Sequence, residues 1–287
     1  MKSEKKRKTM KNKKYYNEDC EDYFSKIILS SKSKKKKLDN FGLENQRIES
    51  FKEYKSLFDN NKLEKLKPSP ILYDKNQKNS PGYYYYHLYS KKINNELFLE
   101  LTTSKNGERE EALCPACQLS EAEVFDHYVP RSIYPFFSMN PINLVPWCSD
   151  CNIKKGEAWL ESGNRVFVNF YTDKIPKLQF LYVRLIKYEN HTPIFKYYLN
   201  KPDNMSKKQY NLIKSHFEKL DLLFKYDKIQ NDTYNDLLDE LDSHSSKESL
   251  IRWIERKTNK YGYNNYKIVL WSFCVQNTLL SNILTLK

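Results

Sequence analysis

The chain has 287 residues, 39% of them hydrophobic, enough to bury a sizeable core with two or three subregions. Its 49 Lys and Arg against 36 Asp and Glu give a net charge of +13, which points to an anionic partner such as nucleic acid. No run of about 18 apolar residues exists to cross a membrane.

The charge is unevenly spread. Residues 1–37 hold fourteen Lys and Arg against five Asp and Glu, clustered at Lys5 to Lys8 and Lys34 to Lys37. Residues 1–40 therefore read as a basic, flexible arm that neutralises phosphates without sequence preference, or as a solvated tail. No apolar stretch follows Met1 to Arg7, so no secretory leader is expected and the location expected is cytoplasmic. Residues 41–110 form the next region. Apolar residues recur at helical intervals over 41–66, and Pro68 and Pro70 break them off. Tyr83 to Tyr89 and Ile93 to Leu101 predict a further helix or two. Four consecutive tyrosines cannot all face one ligand, so core and interface is the expected use, with His87 structural.

The third region, 111–162, carries the chemistry. Cys114 and Cys117 form one CxxC pair and Cys148 and Cys151 a second, with thirty residues between the inner cysteines. Each CxxC turn sets two thiolates on one side of a bend, and two turns supply four sulfurs for tetrahedral Zn²⁺. Reduced thiols in this spacing read as a closed, structural metal site rather than as disulfides. Cys20 and Cys274 lie outside the framework, and Cys274 reads as a small buried hydrophobe. Between the pairs, Val124 to Pro130 predicts a short strand with Asp126 and His127 at its exit. Asn143 to Trp147 predicts a second strand. Asn152 to Leu160 predicts a helix with Asn152 at its cap or first position. Arg131, Lys154 and Lys155 flank this centre as phosphate contacts. Tyr134, Phe136 and Phe137 read as packing over the finger, with base stacking the alternative.

After the finger, region 163–202 alternates loosely over Arg165 to Tyr171. Gln179 to Ile186 and Pro193 to Leu199 then flank a polar turn holding His191, which predicts a β-hairpin. Region 203–287 is helical, with apolar spacing over Gln209 to Phe224, Tyr234 to Leu241, Glu248 to Ile254 and Tyr266 to Leu286. No internal repeat, phosphate-binding glycine loop or dinucleotide fingerprint occurs, so no nucleotide-driven motor is expected in this chain. The fold class predicted is α+β, a zinc-stabilised finger and a β-hairpin set among helices.

The order CxxC, Asp126-His127, Asn143, CxxC, Asn152 resembles the HNH endonucleases, the ββα-metal-finger nucleases, over residues 113–160. The third position is Asn rather than His, a variant of the family pattern. The resemblance implies that His127 is the general base, a role its ordinary pKa of about 6.5 suits. It implies that Asp126 and Asn152 hold Mg²⁺ or Mn²⁺, which stabilises charge on the phosphate and the leaving 3′ oxygen. Asn143 would orient the imidazole or brace its loop. The expected reaction is hydrolysis of nucleic acid, DNA favoured, leaving 5′-phosphate and 3′-hydroxyl ends. The run from Asp126 to Pro135, followed by Asn143-Leu-Val-Pro146, is similar more loosely to HNH proteins of bacterial anti-phage defence, which implies an ATPase partner. Two alternatives stay open: a non-catalytic zinc-finger nucleic-acid-binding protein, and an RNase using the same centre.

Overall fold

A computed structural model describes residues 15–16, 19–29, 31–89, 94–102, 113–175, 177–190, 192–241, 243–244 and 246–277. It is α+β, with small antiparallel sheets among helices. The chain divides into two compact units, 12–173 and 174–287, where the sequence suggested five regions.

The first unit opens with α1 (Cys20–Leu29), α2 (Lys32–Phe41) and α3 (Glu44–Asp59). The region expected to be a flexible arm thus holds two helices from residue 20 onward, while Lys5 to Lys8 lie outside the described residues. Phe24, Ile28 and Leu38 are buried, so α1 and α2 each put apolar residues into the core although α2 contains the Lys34 to Lys37 run. Ser31 caps α2 by accepting from the Lys34 amide, and Gly42 ends it at φ +61°, a left-handed turn that favours glycine. In α3, Phe51, Tyr54 and Phe58 recur at three- and four-residue intervals and are buried. A 3-10 turn follows at Leu63–Lys65.

Ser80 caps and Pro81 opens α4 (Pro81–Tyr86), which precedes α5 (Asn95–Thr102). Of the four tyrosines only Tyr85 is fully buried, whereas Tyr83, Tyr84 and Tyr86 are half-buried. His87, expected to be structural, is exposed. β1 (Val124–His127) pairs antiparallel with β2 (Leu144–Trp147), placing Asp126 opposite Val145 and His127 opposite Leu144. α6 (Ser149–Lys155) follows. It starts three residues before Asn152 because Cys148 is its N-cap, so the second cysteine pair forms the helix's first turn. Gly156, at φ +53°, ends it well short of Leu160.

The minimal hairpin β3 (Leu160–Glu161) and β4 (Asn164–Arg165) comes next. The loose alternation over Arg165 to Tyr171 does not extend as a strand. Val166, Phe167, Val168, Phe170 and Tyr171 are all buried, so both parities face protein and no pleat is selected. Arg165 holds this segment down: its guanidinium meets both oxygens of Asp173 at 3.1 and 2.8 Å and Glu64 at 3.3 Å.

In the second unit β5 (Leu181–Glu189) pairs antiparallel with β6 (Thr192–Leu199), with a register shift between Leu185 and Lys187. The expected hairpin is present, and His191 falls outside the described residues. Five helices follow: α7 (Lys207–Lys219), α8 (Leu222–Lys228), α9 (Gln230–Leu241), α10 (Lys247–Tyr261) and α11 (Tyr266–Gln276). The edge of β6 is covered rather than left open: the Tyr197 amide donates to Asp227 and the Phe195 amide to Gln230. Asn264 accepts from the Phe180 and Leu181 amides and donates to the Leu178 carbonyl, stapling the start of β5 ahead of α11. Cys274 is buried in α11, as its apolar neighbours predict.

Candidate functional site

The four cysteines converge. Their sulfurs all lie within 4.8 Å of one another, all four residues are buried, and the Cys117 and Cys148 sulfurs are 3.8 Å apart. Four thiolates about 2.3 Å from one zinc ion stand about 3.8 Å from each other, so the cluster suits Zn²⁺ with little adjustment. The first knuckle closes through the Gln118 amide on the Cys114 carbonyl at 2.8 Å, with Gln118 left-handed at φ +60°. The Leu119 amide points at the Cys117 sulfur at 3.4 Å, a contact that favours a thiolate. The second knuckle is the N-terminal turn of α6.

Asp126 and His127 sit at the exit of β1, at the beginning of a loop, buried from Tyr134 onward, that returns through 3-10 turns at Pro135–Met139 and Pro141–Asn143. His127 Nε2 lies 2.9 Å from the Ser138 carbonyl oxygen. A carbonyl only accepts, so Nε2 carries the proton and the neutral ring keeps its lone pair on Nδ1. Burial pushes the imidazole pKa down to about 3, with the Arg131 charge adding to the fall, the Ser138 contact opposing it and Lys155 adding again. The ring is therefore neutral across physiological pH, and with its pKa well below the ordinary value of about 6.5 it is a weaker base than the sequence implied. Its half-buried edge meets Tyr89, ring centroids 4.7 Å apart in a T-shaped contact.

Asp126 is 1% exposed and pairs at 3.0 Å with the Lys155 ammonium, whose side chain has no exposed surface. Lys155 also donates to the His127 carbonyl at 2.8 Å. This departs from the expectation of a phosphate contact: Lys155 lies four residues after Cys151, on the buried face of α6, and points inward. Burial raises the Asp126 pKa, and Lys155 opposes that rise. The ammonium is bound to Oδ1, and the buried Oδ2 has no hydrogen-bond partner. An orphaned carboxylate oxygen beside a candidate base is the donor that a hard divalent cation takes.

Asn143 is completely buried and spends its whole carboxamide on the loop. Oδ1 accepts from the Val129 amide at 2.8 Å and the Tyr54 hydroxyl at 3.0 Å. Nδ2 donates to the Val129 and Phe137 carbonyls at 3.0 and 3.2 Å. None of these contacts reaches the imidazole. Asn152 is half-buried in α6, which packs on β1. Lys154 is exposed next to Ile153. Arg131 is half-buried, its guanidinium 4.2 Å from the Tyr86 ring centroid and 5.2 Å from that of Tyr89. Tyr134, Phe136 and Phe137 are buried in packing, so none offers a face to a base.

Three contributors have no motif to announce them. Tyr54 reaches from α3 to Asn143. Tyr85 supplies, through its carbonyl, the acceptor for the Ser138 hydroxyl at 2.5 Å. Ser138 in turn holds His127. Only Lys155 carried a legible signal, its i, i+4 spacing from Cys151.

No protein-family model matches this chain, and no solved structure does. Among curated proteins it is similar to Protein ea31 of Escherichia phage lambda, 30% identical over 118 residues. That stretch covers 39% of this chain and 39% of the phage protein. Among the described residues no helix is long and apolar enough to cross a membrane.

Proposed function

We propose that this chain is a metal-dependent HNH endonuclease that hydrolyses phosphodiester bonds, with DNA the favoured substrate. The observation that carries this reading is the pairing at the end of β1. A neutral imidazole is fixed through Nε2 with Nδ1 free, and beside it stands a carboxylate with one uncommitted buried oxygen. The strand–strand–helix unit holding both is clamped by a cysteine cluster that suits structural Zn²⁺.

In this reading His127 Nδ1 removes the proton from the attacking water while the Ser138 carbonyl keeps the ring from rotating. Asp126 and Asn152 would hold one Mg²⁺ or Mn²⁺, which supplies charge stabilisation at the phosphate and at the leaving oxygen. Lys155 holds Asp126 in place through Oδ1. Asn143 braces the loop so that the Ser138 carbonyl stays in register with β1. Arg131, at the rim beside His127, contacts phosphate, as does the exposed Lys154. A cytoplasmic setting in anti-phage defence, beside an ATPase that gates the nuclease, belongs to the same proposal and rests on the looser family likeness.

One observation favours a second reading, a zinc-stabilised nucleic-acid-binding protein without catalysis. Asp126 is already neutralised by Lys155, as an internal structural carboxylate would be. The two readings separate in a cleavage assay on supercoiled plasmid, linear duplex, single-stranded DNA and RNA with Mg²⁺, Mn²⁺ or EDTA. The nuclease cuts only with the divalent ion, and His127→Ala at equal zinc content abolishes cutting. Preferential cutting of RNA would make it an RNase. Binding without cutting, in the presence of any partner ATPase, would leave the non-catalytic reading.

A further inference from the structure

A column of planar groups leads out of the candidate centre. Tyr89 meets His127 edge to face, the Arg131 guanidinium lies 5.2 Å from the Tyr89 ring, and the same guanidinium lies 4.2 Å from the Tyr86 ring. Tyr73 stacks on Tyr86, centroids 3.9 Å apart and planes within 15°. Two groups about 4 Å above one ring cannot share a face, so Tyr86 is sandwiched between Tyr73 and Arg131. Tyr83 and the exposed His87 flank the outer end, their rings 4.3 Å apart.

Core packing does not account for the column. Tyr73, Tyr86, Tyr89 and Arg131 are all half-buried, and Leu72 beside them is 70% exposed. Of the four consecutive tyrosines Tyr85 alone is buried in the core. Among the described residues no carboxylate pairs with Arg131; its one hydrogen bond there runs to the Tyr86 carbonyl at 3.3 Å. The arrangement is also built to close tolerance. A methyl group added at Gly82 would collide with the Leu72 carbonyl, so glycine there is what lets the Tyr73 segment lie against α4.

We propose that the Tyr73–Tyr86–Arg131–Tyr89 column is the track for single-stranded nucleic acid next to the cleavage centre. This deepens the nuclease reading and rests on it. Arg131 is a fixed positive charge beside His127, matched to a phosphate near the scissile one. Both faces of Tyr86 are taken by Tyr73 and Arg131, so the base stacks on Tyr73, the outer ring of the column, whatever its sequence, provided its own faces are free. In a continuous duplex those faces are already covered by neighbouring pairs. The substrate class is therefore a single strand, or the unpaired segment of a larger structure. Lys37 of α2 sets a second positive charge beside α4, 4.7 Å from the Tyr84 ring.

The test uses the full chain carrying His127→Ala, so that the probe stays intact, with Tyr73→Ala or Tyr73→Phe added. Fluorescein-labelled single-stranded DNA and RNA and the matching duplex are titrated at one salt concentration by anisotropy. Zinc content and melting temperature are matched beforehand. The single strand should bind at least tenfold tighter than the duplex. Tyr73→Ala should weaken single-strand binding by about 5- to 150-fold, the loss of one stacked base, and leave duplex binding unchanged. Tyr73→Phe should retain it. Equal affinity for strand and duplex, or a Tyr73→Ala protein that binds like its parent, overturns the track. Cleavage by the chain with His127 intact is scored in parallel. If it cuts while Tyr73→Ala is silent in binding, only the track falls. If it neither binds nor cuts any probe, the track falls, and the nuclease reading falls with it only when a partner ATPase restores no cutting.

Discussion

Replacing Lys155 with alanine tests the site's construction most directly. The ammonium is lost from 3.0 Å beside Asp126 and from 2.8 Å beside the His127 carbonyl, and the carboxylate stays 1% exposed. Removing one member of a buried ion pair costs about 3–5 kcal/mol, because the other charge is left without water or partner. At about 2–4 °C per kcal/mol for a domain of 150–250 residues, melting should fall by about 6–20 °C. The deficit should also depend on pH. Burial already raises the Asp126 pKa above its unfolded value, and losing Lys155 raises it further. The folded state then holds a proton that the unfolded chain releases, so the variant gains relative stability as pH falls toward about 4 and loses it as pH rises. Thermal or urea unfolding of wild type and Lys155→Ala at pH 5 and pH 7 measures this, with Lys154→Ala as an exposed control expected within about 0.5 kcal/mol. Adding Asp126→Leu to Lys155→Met should restore much of the stability, since a well-packed apolar pair replaces the ion pair. A Lys155→Ala protein that unfolds like wild type at both pH values would refute the buried pairing and return Lys155 to the surface as a phosphate contact.

Three further outcomes are expected. Cys114→Ser or Cys151→Ser, or exhaustive chelation, should unfold the finger, since structural zinc contributes on the order of ten kcal/mol in small fingers; zinc content by mass spectrometry of the native protein and circular dichroism read the result. Asn143→Ala strips four hydrogen bonds from a closed interior and should cost at least about 3 kcal/mol in unfolding experiments, with any cleavage activity lost alongside. His127, with its folded pKa pushed down to about 3 against about 6.5 unfolded, makes the folded state bind fewer protons between those values. Stability should therefore drop as pH falls through that window, and His127→Gln should flatten the drop in an acid titration of the melting temperature.

The local features of the chain were legible because their causes are local. CxxC turns bring two sulfurs together by covalent spacing alone, and the four cysteines do cluster. Alternation and a polar turn marked β5 and β6. Apolar periodicity marked α3 and the C-terminal helical region, although the run expected over Gln209 to Phe224 is broken at Asp221, left-handed at φ +49°, into α7 and α8. The strands at Val124 and Leu144 followed from short extended runs closed by proline and cysteine. What the tertiary structure decided lies in contacts between distant segments. Lys155 looks like any surface lysine until Cys151 fixes which face of α6 turns inward, and only then does its charge meet Asp126. Asn143 saturates its carboxamide on residues from α3 and the β1–β2 loop, a pairing no spacing rule contains. The lysine-rich segment before residue 41 read as an arm because charge dominates its composition. Phe24, Ile28 and Leu38 nevertheless find partners in the first unit, and burial of those few side chains outweighs the solvation that the lysines keep at the surface. Arg131 was marked as a phosphate contact by charge alone. That it lies on two tyrosine rings in line with His127 depends on how α4 and the loop after β1 come together, and that is set by packing, not by order along the chain.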